Sequence, residues 1–80
     1  MNVFPNPAKD VINLGLSLEK LTDVTVTIAD MTGRTMIIQD RSGLTNETLT
    51  YQLPQLVSGT YLARIATKEG TLTKKFLVQK

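Results

Sequence analysis

The feature that most constrains the fold is an alternation of apolar and polar residues with a period of two. It is clearest where Val24, Val26 and Ile28 alternate with Thr25 and Thr27. β-Branched residues in this pattern are typical of a strand with one buried face. Val11–Leu18 keeps the same period, and Gly15 and Ser17 within it weaken a helical interpretation. Strand segments are predicted near residues 11–18, 23–30, 34–40, 47–53, 60–67 and 71–79.

Turn residues lie between these segments. In Asp30-Met31-Thr32-Gly33 the Asp30 carboxylate can accept a hydrogen bond from the backbone N–H two residues on, and Gly33 supplies a positive φ. Lys68–Thr71 predicts a second reversal of the same kind. Looser connections are predicted at 41–43 and 54–59. Short strands at regular spacing favour an all-β fold, a small Ig-like antiparallel β-sandwich of about six or seven strands or a small barrel, in a single domain spanning residues 1–80.

Two stretches depart from simple alternation. Met36-Ile37-Ile38 is a run of consecutive apolar residues, so either both faces of that strand are covered or a bulge shifts its register. Phe4-Pro5-Asn6-Pro7-Ala8 cannot be a central strand, because each proline lacks a backbone donor. We expect it to be an extended lead-in with Phe4 closing one end of the core. Three further aromatic residues are also expected in the core: Tyr51, Tyr61 and Phe76.

Composition argues against catalysis, metal binding and nucleic-acid binding. The chain has no His and no Cys, which removes the usual general base, thiol nucleophile and soft metal ligands. Nine basic residues against seven acidic ones give a net charge of +2, and the basic residues are scattered apart from Lys74 and Lys75. Asp30 with Thr32 provides too few oxygens for calcium. We therefore predict no enzyme, no cofactor, no metal, no nucleic-acid partner and no membrane span.

Four motifs in order give the chain a resemblance to a known family. Phe4–Ala8 is similar to an aromatic-Pro-Asn-Pro opening, and Asp30–Arg34 resembles a D-x-x-G-[KR] reversal. Leu53–Ile65 resembles L-x-x-L-x-x-G-x-Y-x-x-[KR]-[IV], with Gly59 and Tyr61 at the two characteristic positions, and Lys74–Lys80 is a basic-apolar end. These motifs resemble those of the C-terminal sorting domain, type A, of type IX (Por) secretion cargo from Bacteroidetes. The positions assigned to this structural motif are Pro5, Asn6, Pro7, Asp30, Gly33, Gly59 and Tyr61.

The resemblance implies a folded tag at the end of a longer secreted protein, with Met1 the start of an excised segment. Cargo would pass through the periplasm, and shuttle proteins and the outer-membrane translocon of the type IX system would recognise the tag. A sortase-like cysteine protease would cut upstream of it, leaving cargo outside the cell or joined to lipopolysaccharide at the cell surface. Lys74 and Lys75 have two interpretations: they are plain surface charge on a marginal strand, or they carry recognition together with Val78 and Lys80, through strand addition to the last strand.

Two other functions remain open from the residues alone. A generic β-sandwich spacer or surface interaction module of a secreted enzyme or adhesin would tolerate a further domain after Lys80, whereas a sorting domain would not. A carbohydrate-binding module is a third candidate, but the chain contains no Trp to form an aromatic platform. The oligomeric state does not follow from the sequence.

Overall fold

The computed structural model describes residues 1–53 and 56–80. The predicted connection at 54–59 therefore lies outside the described residues at Pro54 and Gln55. The described secondary structure is entirely β, and every strand pairing is antiparallel. The five strands in the described ranges are β1 (Asn2–Phe4), β2 (Val11–Asp30), β3 (Thr35–Gln52), β4 (Gly59–Thr67) and β5 (Gly70–Val78).

The long strand β2 organises the sheet. β3 pairs along nearly the whole of one of its edges. On the other edge, β1 pairs with the first half of β2 through Asn13–Gly15, and β4 pairs with the second half through Thr25–Asp30. β5 lies beyond β4 at the margin of the sheet. The sheet curls, so that apolar side chains from both halves of β2 join one buried cluster.

The predicted number of strands, six or seven, is wrong for the described residues, which contain five. Breaks were expected near residues 19–22 and at Arg41–Gly43, but β2 and β3 continue through both places. Register shifts after Ser17 and after Thr22 take up the extra residues, and the Asp23 carboxylate accepts a 3.0 Å hydrogen bond from the Gly43 N–H. A bulge bends a strand and increases its twist without ending it.

The Met36-Ile37-Ile38 run contains a bulge, so its consecutive apolar residues reflect a shift of register and not a strand covered on both faces. Ile28 pairs with Ile37 and Ala29 pairs with Thr35, so that Met36 is the extra residue. Met36 and Ile37 both pack against the core, whereas Ile38 is exposed. The bulge therefore changes which side chains of β3 face inward.

The alternation correctly predicts the core. Its buried members lie on alternate positions of four strands, and Tyr51, Tyr61 and Phe76 are buried as expected. Phe4 is an exception: it is 44% exposed and packs across Gly15 on β2 instead of closing the core. Ala8, which is 1% exposed, is the buried residue of the lead-in. The largest fully buried side chains are Phe76, Ile12, Leu14, Ile28, Leu53, Ile65, Val26 and Val78.

The reversal between β2 and β3 has the predicted geometry. One Asp30 carboxylate oxygen accepts hydrogen bonds from the Thr32 N–H at 2.9 Å, the Thr32 hydroxyl at 2.6 Å and the Arg34 N–H at 3.0 Å. These hydrogen bonds lower the pKa of Asp30 because they favour its charged form, and the bond from the Thr32 hydroxyl has the largest effect. Gly33 has a φ of 92°, in the region that favours glycine.

Candidate recognition surface

β5 is a marginal strand with one edge paired to β4. The register is uniform from Gly59 opposite Val78 to Thr67 opposite Gly70. Because the backbone groups of successive residues in a strand point to alternate edges, every second residue of β5 directs its N–H and C=O away from β4. Such an outer edge is where an additional strand can bind.

The lead-in covers one end of this outer edge, and we call Pro5–Ala8 the strap. The side-chain oxygen of Asn6 accepts a 2.9 Å hydrogen bond from the Leu77 N–H. The N–H of Ala8 donates to the Leu77 carbonyl at 2.7 Å, and the Ala8 carbonyl accepts from the Gln79 N–H at 2.8 Å. Ala8 and Val78 form a parallel bridge. The strap therefore occupies the outer edge at Leu77 and Gln79.

The rest of the outer edge is open within the described residues. Thr71, Thr73 and Lys75 have the same parity as Leu77, so their backbone groups point away from β4. No strand of the described residues pairs with them there. The open edge therefore runs from Thr71 to Lys75, and a strand rises about 3.3 Å per residue.

The two adjacent lysines lie on opposite faces of β5. Lys74 is opposite the buried Ala63 and shares a face with Phe76, whereas Lys75 is opposite Leu62 on the outer face. Both lysines are exposed. The ion pairs found in the described part of the chain join Lys20 to Glu69 and Arg34 to Asp30, so neither lysine of the pair is neutralised there.

The other two expected recognition residues, Val78 and Lys80, make contacts within the domain. Val78 is 1% exposed and its backbone groups point toward β4, so a partner of the folded domain does not reach Val78 directly. The Lys80 ammonium group donates a 2.6 Å hydrogen bond to the Leu53 carbonyl, and the Lys80 N–H donates to the Ser58 hydroxyl at 2.9 Å. Lys80 thus attaches the end of β5 to the segment before β4.

Tyr61 and Gly59 lie beside this attachment. The buried Tyr61 ring stacks on Phe76 with 5.9 Å between centroids, and its hydroxyl donates a 2.7 Å hydrogen bond to the Val57 carbonyl. Gly59 begins β4 opposite Val78 and has a φ of 159°, close to extended backbone. These residues hold the end of β5 in place.

Sequence reasoning missed two features of this surface. It marked Pro5, Asn6 and Pro7 as a motif but did not predict that Asn6 contacts the last strand. It also expected Lys80 to carry recognition and did not predict its hydrogen bonds to Leu53 and Ser58. The sequence did contain a signal for the contact of Asn6. Pro7 has no N–H and cannot pair as a regular strand residue, whereas the Asn6 side chain between the two prolines can accept a hydrogen bond.

The surface offers backbone groups and ammonium groups that can bind a partner. Within residues 1–53 and 56–80, no cluster of carboxylates, His or Cys is arranged to hold a metal ion. No helix in the same ranges could cross a membrane. What β5 presents is a row of unpaired backbone groups flanked by two ammonium groups, which suits an extended segment carrying carboxylates.

These features define a small all-β module with a partly open strand at its margin. The model of one protein family, described as the secretion system C-terminal sorting domain, matches residues 2–79. The chain therefore belongs to the type IX (Por) C-terminal sorting domains, and the resemblance seen in its motifs is confirmed. Searches of curated proteins and of solved structures gave no match.

Family membership carries general statements about function. The chain is a sorting signal of the type IX secretion machinery, and the family is not one of enzymes. It implies a secreted protein that ends at the cell surface or in the extracellular space.

Proposed function

We propose that the type IX translocon recognises this folded domain by adding an extended segment to the open edge of β5, with Lys74 and Lys75 pairing with carboxylates of that segment. The observation that carries the proposal is the geometry of β5. Its outer edge is open at Thr71–Lys75 and occupied at Leu77 and Gln79. Main-chain hydrogen bonds would supply affinity, and the two lysines would supply selectivity for an acidic partner.

Val78 and Lys80 would contribute indirectly. The buried Val78 side chain anchors the end of β5 in the core, and Lys80 attaches the strand to Leu53 and Ser58. Their substitution would then reduce secretion in proportion to the loss of stability. Substitution of Lys74 and Lys75, which are exposed, would reduce secretion without that loss.

The route is part of the same proposal. Cargo would cross the inner membrane by a separate signal and fold in the periplasm, and shuttle proteins and the translocon would then bind the domain. A sortase-like cysteine protease would cut upstream of residue 1, and the cargo would be released or joined to an anionic lipopolysaccharide. The domain would be the substrate of these steps, as the motif resemblance implies.

A fusion tests the proposal. An export signal, a fluorescent protein and residues 1–80 are joined and expressed in a bacterium that has the type IX machinery. We expect fluorescence outside wild-type cells and retention in a translocon mutant. Equal fluorescence outside both strains would refute the sorting function. The apparent mass of the secreted reporter then distinguishes cleavage from anchoring.

Two pairs of variants test the recognition strand. Lys74→Ala with Lys75→Ala should lower secretion several-fold, whereas Lys9→Ala with Lys68→Ala, which removes the same charge from exposed sites elsewhere, should not. Thr73→Pro removes an outward N–H and preserves the bonds to β4, since proline is tolerated on the free side of a marginal strand. It should lower secretion relative to Thr73→Ala. Normal secretion of Thr73→Pro, with unfolding midpoints compared for all variants, would rule out strand addition here.

A further inference from the structure

The open edge of β5 can pair with the same edge of a second copy of the chain. In such a pair a two-fold axis normal to the sheet sets one residue of β5 opposite its own copy, because opposed residues of an antiparallel ladder share a face. The backbone groups available for bonding are those of Thr71, Thr73 and Lys75. The position of the axis therefore decides which of these residues bond to each other.

Charge excludes three positions of the axis. An axis at Lys74 or at Lys75 sets two lysines directly opposite each other. An axis at Thr71 sets Lys74 opposite Lys68 of the second copy. Like charges in directly opposed positions destabilise a pair of strands. These three registers are therefore unfavourable.

The strap excludes a fourth position. An axis at Thr73 sets Glu69 of the second copy opposite Leu77. The Leu77 N–H is already bonded to the Asn6 side chain, so the turn of the second copy would meet the strap there. An axis at Leu72 moves that turn back by two residues, and the paired region then ends before the strap begins.

An axis at Leu72 also covers an exposed apolar side chain. Leu72 is 54% exposed although it lies opposite the buried Ile65 on the inward face of β5. With Leu16, Leu18 and Ile65 it lines an apolar groove of about 280 Å³. In this register the two Leu72 residues form a non-hydrogen-bonded pair, in which side chains are closest, and each removes part of the other from water.

The same register pairs opposite charges. Lys75 lies opposite Glu69 of the second copy, and the symmetry produces this pair twice. Within its own chain Glu69 contacts Lys20 at 3.2 Å, with both side chains 74% exposed. Such an exposed ion pair adds little to stability, so Glu69 can exchange Lys20 for Lys75 at small cost.

We propose that two copies of this chain associate by antiparallel pairing of their β5 edges, with Leu72 on the two-fold axis. Thr71 of each copy bonds to Thr73 of the other, and Lys75 pairs with Glu69. A ladder this short buries less than the roughly 1,000 Å² of a stable interface, so the dimer is weak and forms at high concentration. It uses the edge to which the translocon segment would bind, so each excludes the other. Only this last consequence rests on the proposed function.

Sedimentation of residues 1–80 from micromolar to millimolar concentration tests the dimer. We expect a reversible monomer–dimer equilibrium in the wild-type protein and in Thr73→Ala. Thr73→Pro removes the outward N–H of Thr73 and leaves the bonds to β4 intact, so it should remain a monomer. A wild-type protein that is still a monomer at millimolar concentration, or a Thr73→Pro protein that dimerises equally well, would overturn the proposal.

Single cysteines test the position of the axis, because the chain has no Cys of its own. In Leu72→Cys the two Cα atoms would lie about 4.5 Å apart, within the range that a disulfide spans. Lys74→Cys is the control on the same face, and it would lie roughly 13 Å along the strand from its copy. Under mild oxidation Leu72→Cys should form the covalent dimer much faster. Equal rates would overturn the register.

Charge reversal tests the contact between Lys75 and Glu69. Lys75→Glu or Glu69→Lys alone sets like charges opposite each other at two places in the dimer, and we expect each to raise the Kd of dimerisation about tenfold. The two substitutions together should restore the wild-type Kd. A combined variant as weak as the single ones would overturn this pairing. None of these measurements involves export, so they are independent of the tests of the sorting function.

Discussion

The side-chain oxygen of Asn6 accepts a hydrogen bond of 2.9 Å from the backbone N–H of Leu77, a residue 71 positions later in the chain. Pro7 has no N–H, so the strap cannot form a regular ladder with β5, and the Asn6 amide supplies the acceptor that a strand carbonyl would otherwise supply. Ala8 completes the contact through its backbone. A motif near the start of the chain thus determines how much of the last strand is open.

Asn6→Ala should lower the free energy of unfolding by about 1 kcal/mol, because it removes one side-chain hydrogen bond to a backbone donor. Urea unfolding monitored by circular dichroism measures the change. Asn46→Ala is the matched control, since Asn46 is an exposed residue of β3. A loss in Asn6→Ala no larger than in the control would show that the strap is held by Ala8 alone.

The strands were predictable because their signal is local. A half-buried strand needs an apolar side chain at every second position, and Val24–Ile28 displays that period without help from the rest of the fold. The same reasoning placed Tyr61 and Phe76 in the core correctly. The Asp30–Gly33 reversal was predictable for the same reason, since its hydrogen bonds join residues close in sequence.

The number of strands was not predictable, because whether a strand continues through a bulge depends on its pairing with the neighbouring strand and not on its own sequence. Glu19 and Lys20 interrupt the apolar alternation and Ser42-Gly43 is typical of turns, yet each strand continues because its partner bends with it. Phe4 was misplaced because the sequence does not reveal that Gly15 offers a flat surface for an aromatic ring on the outer side. Side-chain alternation is therefore a better guide to burial than to where a strand ends.

The candidate site was predictable only in part. Lys74 and Lys75 are exposed residues of the marginal strand, but their positions on opposite faces depend on the register with β4. Lys80 was expected at the surface, and its contact with Leu53 joins residues 27 apart in sequence. Contacts over such separations have no local pattern to reveal them.

Gly33→Ala should destabilise the domain by about 1 kcal/mol or more, because a φ of 92° strains any residue with a Cβ. Gly15→Ala is the comparison. A Cβ at Gly15 would meet its nearest neighbours, Phe4 and Asn2, at 3.6 and 3.7 Å, which are ordinary contacts, and its φ is not positive. Thermal unfolding of both variants checks the order. A more stable Gly33→Ala protein would contradict the turn geometry.

Asp30 makes stability depend on pH at the acidic end. Its pKa is lower in the folded chain than in the unfolded chain, so its contribution is complete above the unfolded pKa of about 3.9 and is lost as pH falls through the folded pKa. The stability advantage of the wild-type protein over Asp30→Asn should therefore shrink as the solution is acidified. Urea unfolding at several acidic pH values measures this trend.

The Thr32 hydroxyl is the first cause of the lowered pKa of Asp30. Thr32→Val removes that donor while keeping a β-branched side chain, so the pKa of Asp30 should rise toward its ordinary value. Carboxyl chemical shifts followed through a pH titration report the change. An unchanged titration in Thr32→Val would mean that the backbone donors of Thr32 and Arg34 are sufficient.

Phe76 and Leu77 are neighbours whose substitutions separate folding from recognition. Phe76 is 1% exposed and stacks on Tyr61, so Phe76→Ala should cost about 3–5 kcal/mol, a large share of the stability of a domain of this size. Leu77 is 39% exposed and contacts the strap through its backbone, so Leu77→Ala should cost less than about 1 kcal/mol. Chemical denaturation of the purified variants measures both.

The Phe76→Ala and Leu77→Ala variants also help to interpret a secretion defect caused by deleting the end of the chain. Deletion of residues 76–80 removes Phe76 from the core as well as the end of β5, so a secretion defect in the deletion has two explanations. If stability alone matters, reporter secretion should fall in Phe76→Ala and remain normal in Leu77→Ala. If Leu77→Ala is stable but is retained in the cell, the outer face of β5 near Leu77 takes part in recognition, and the contact extends beyond the open edge at Thr71–Lys75.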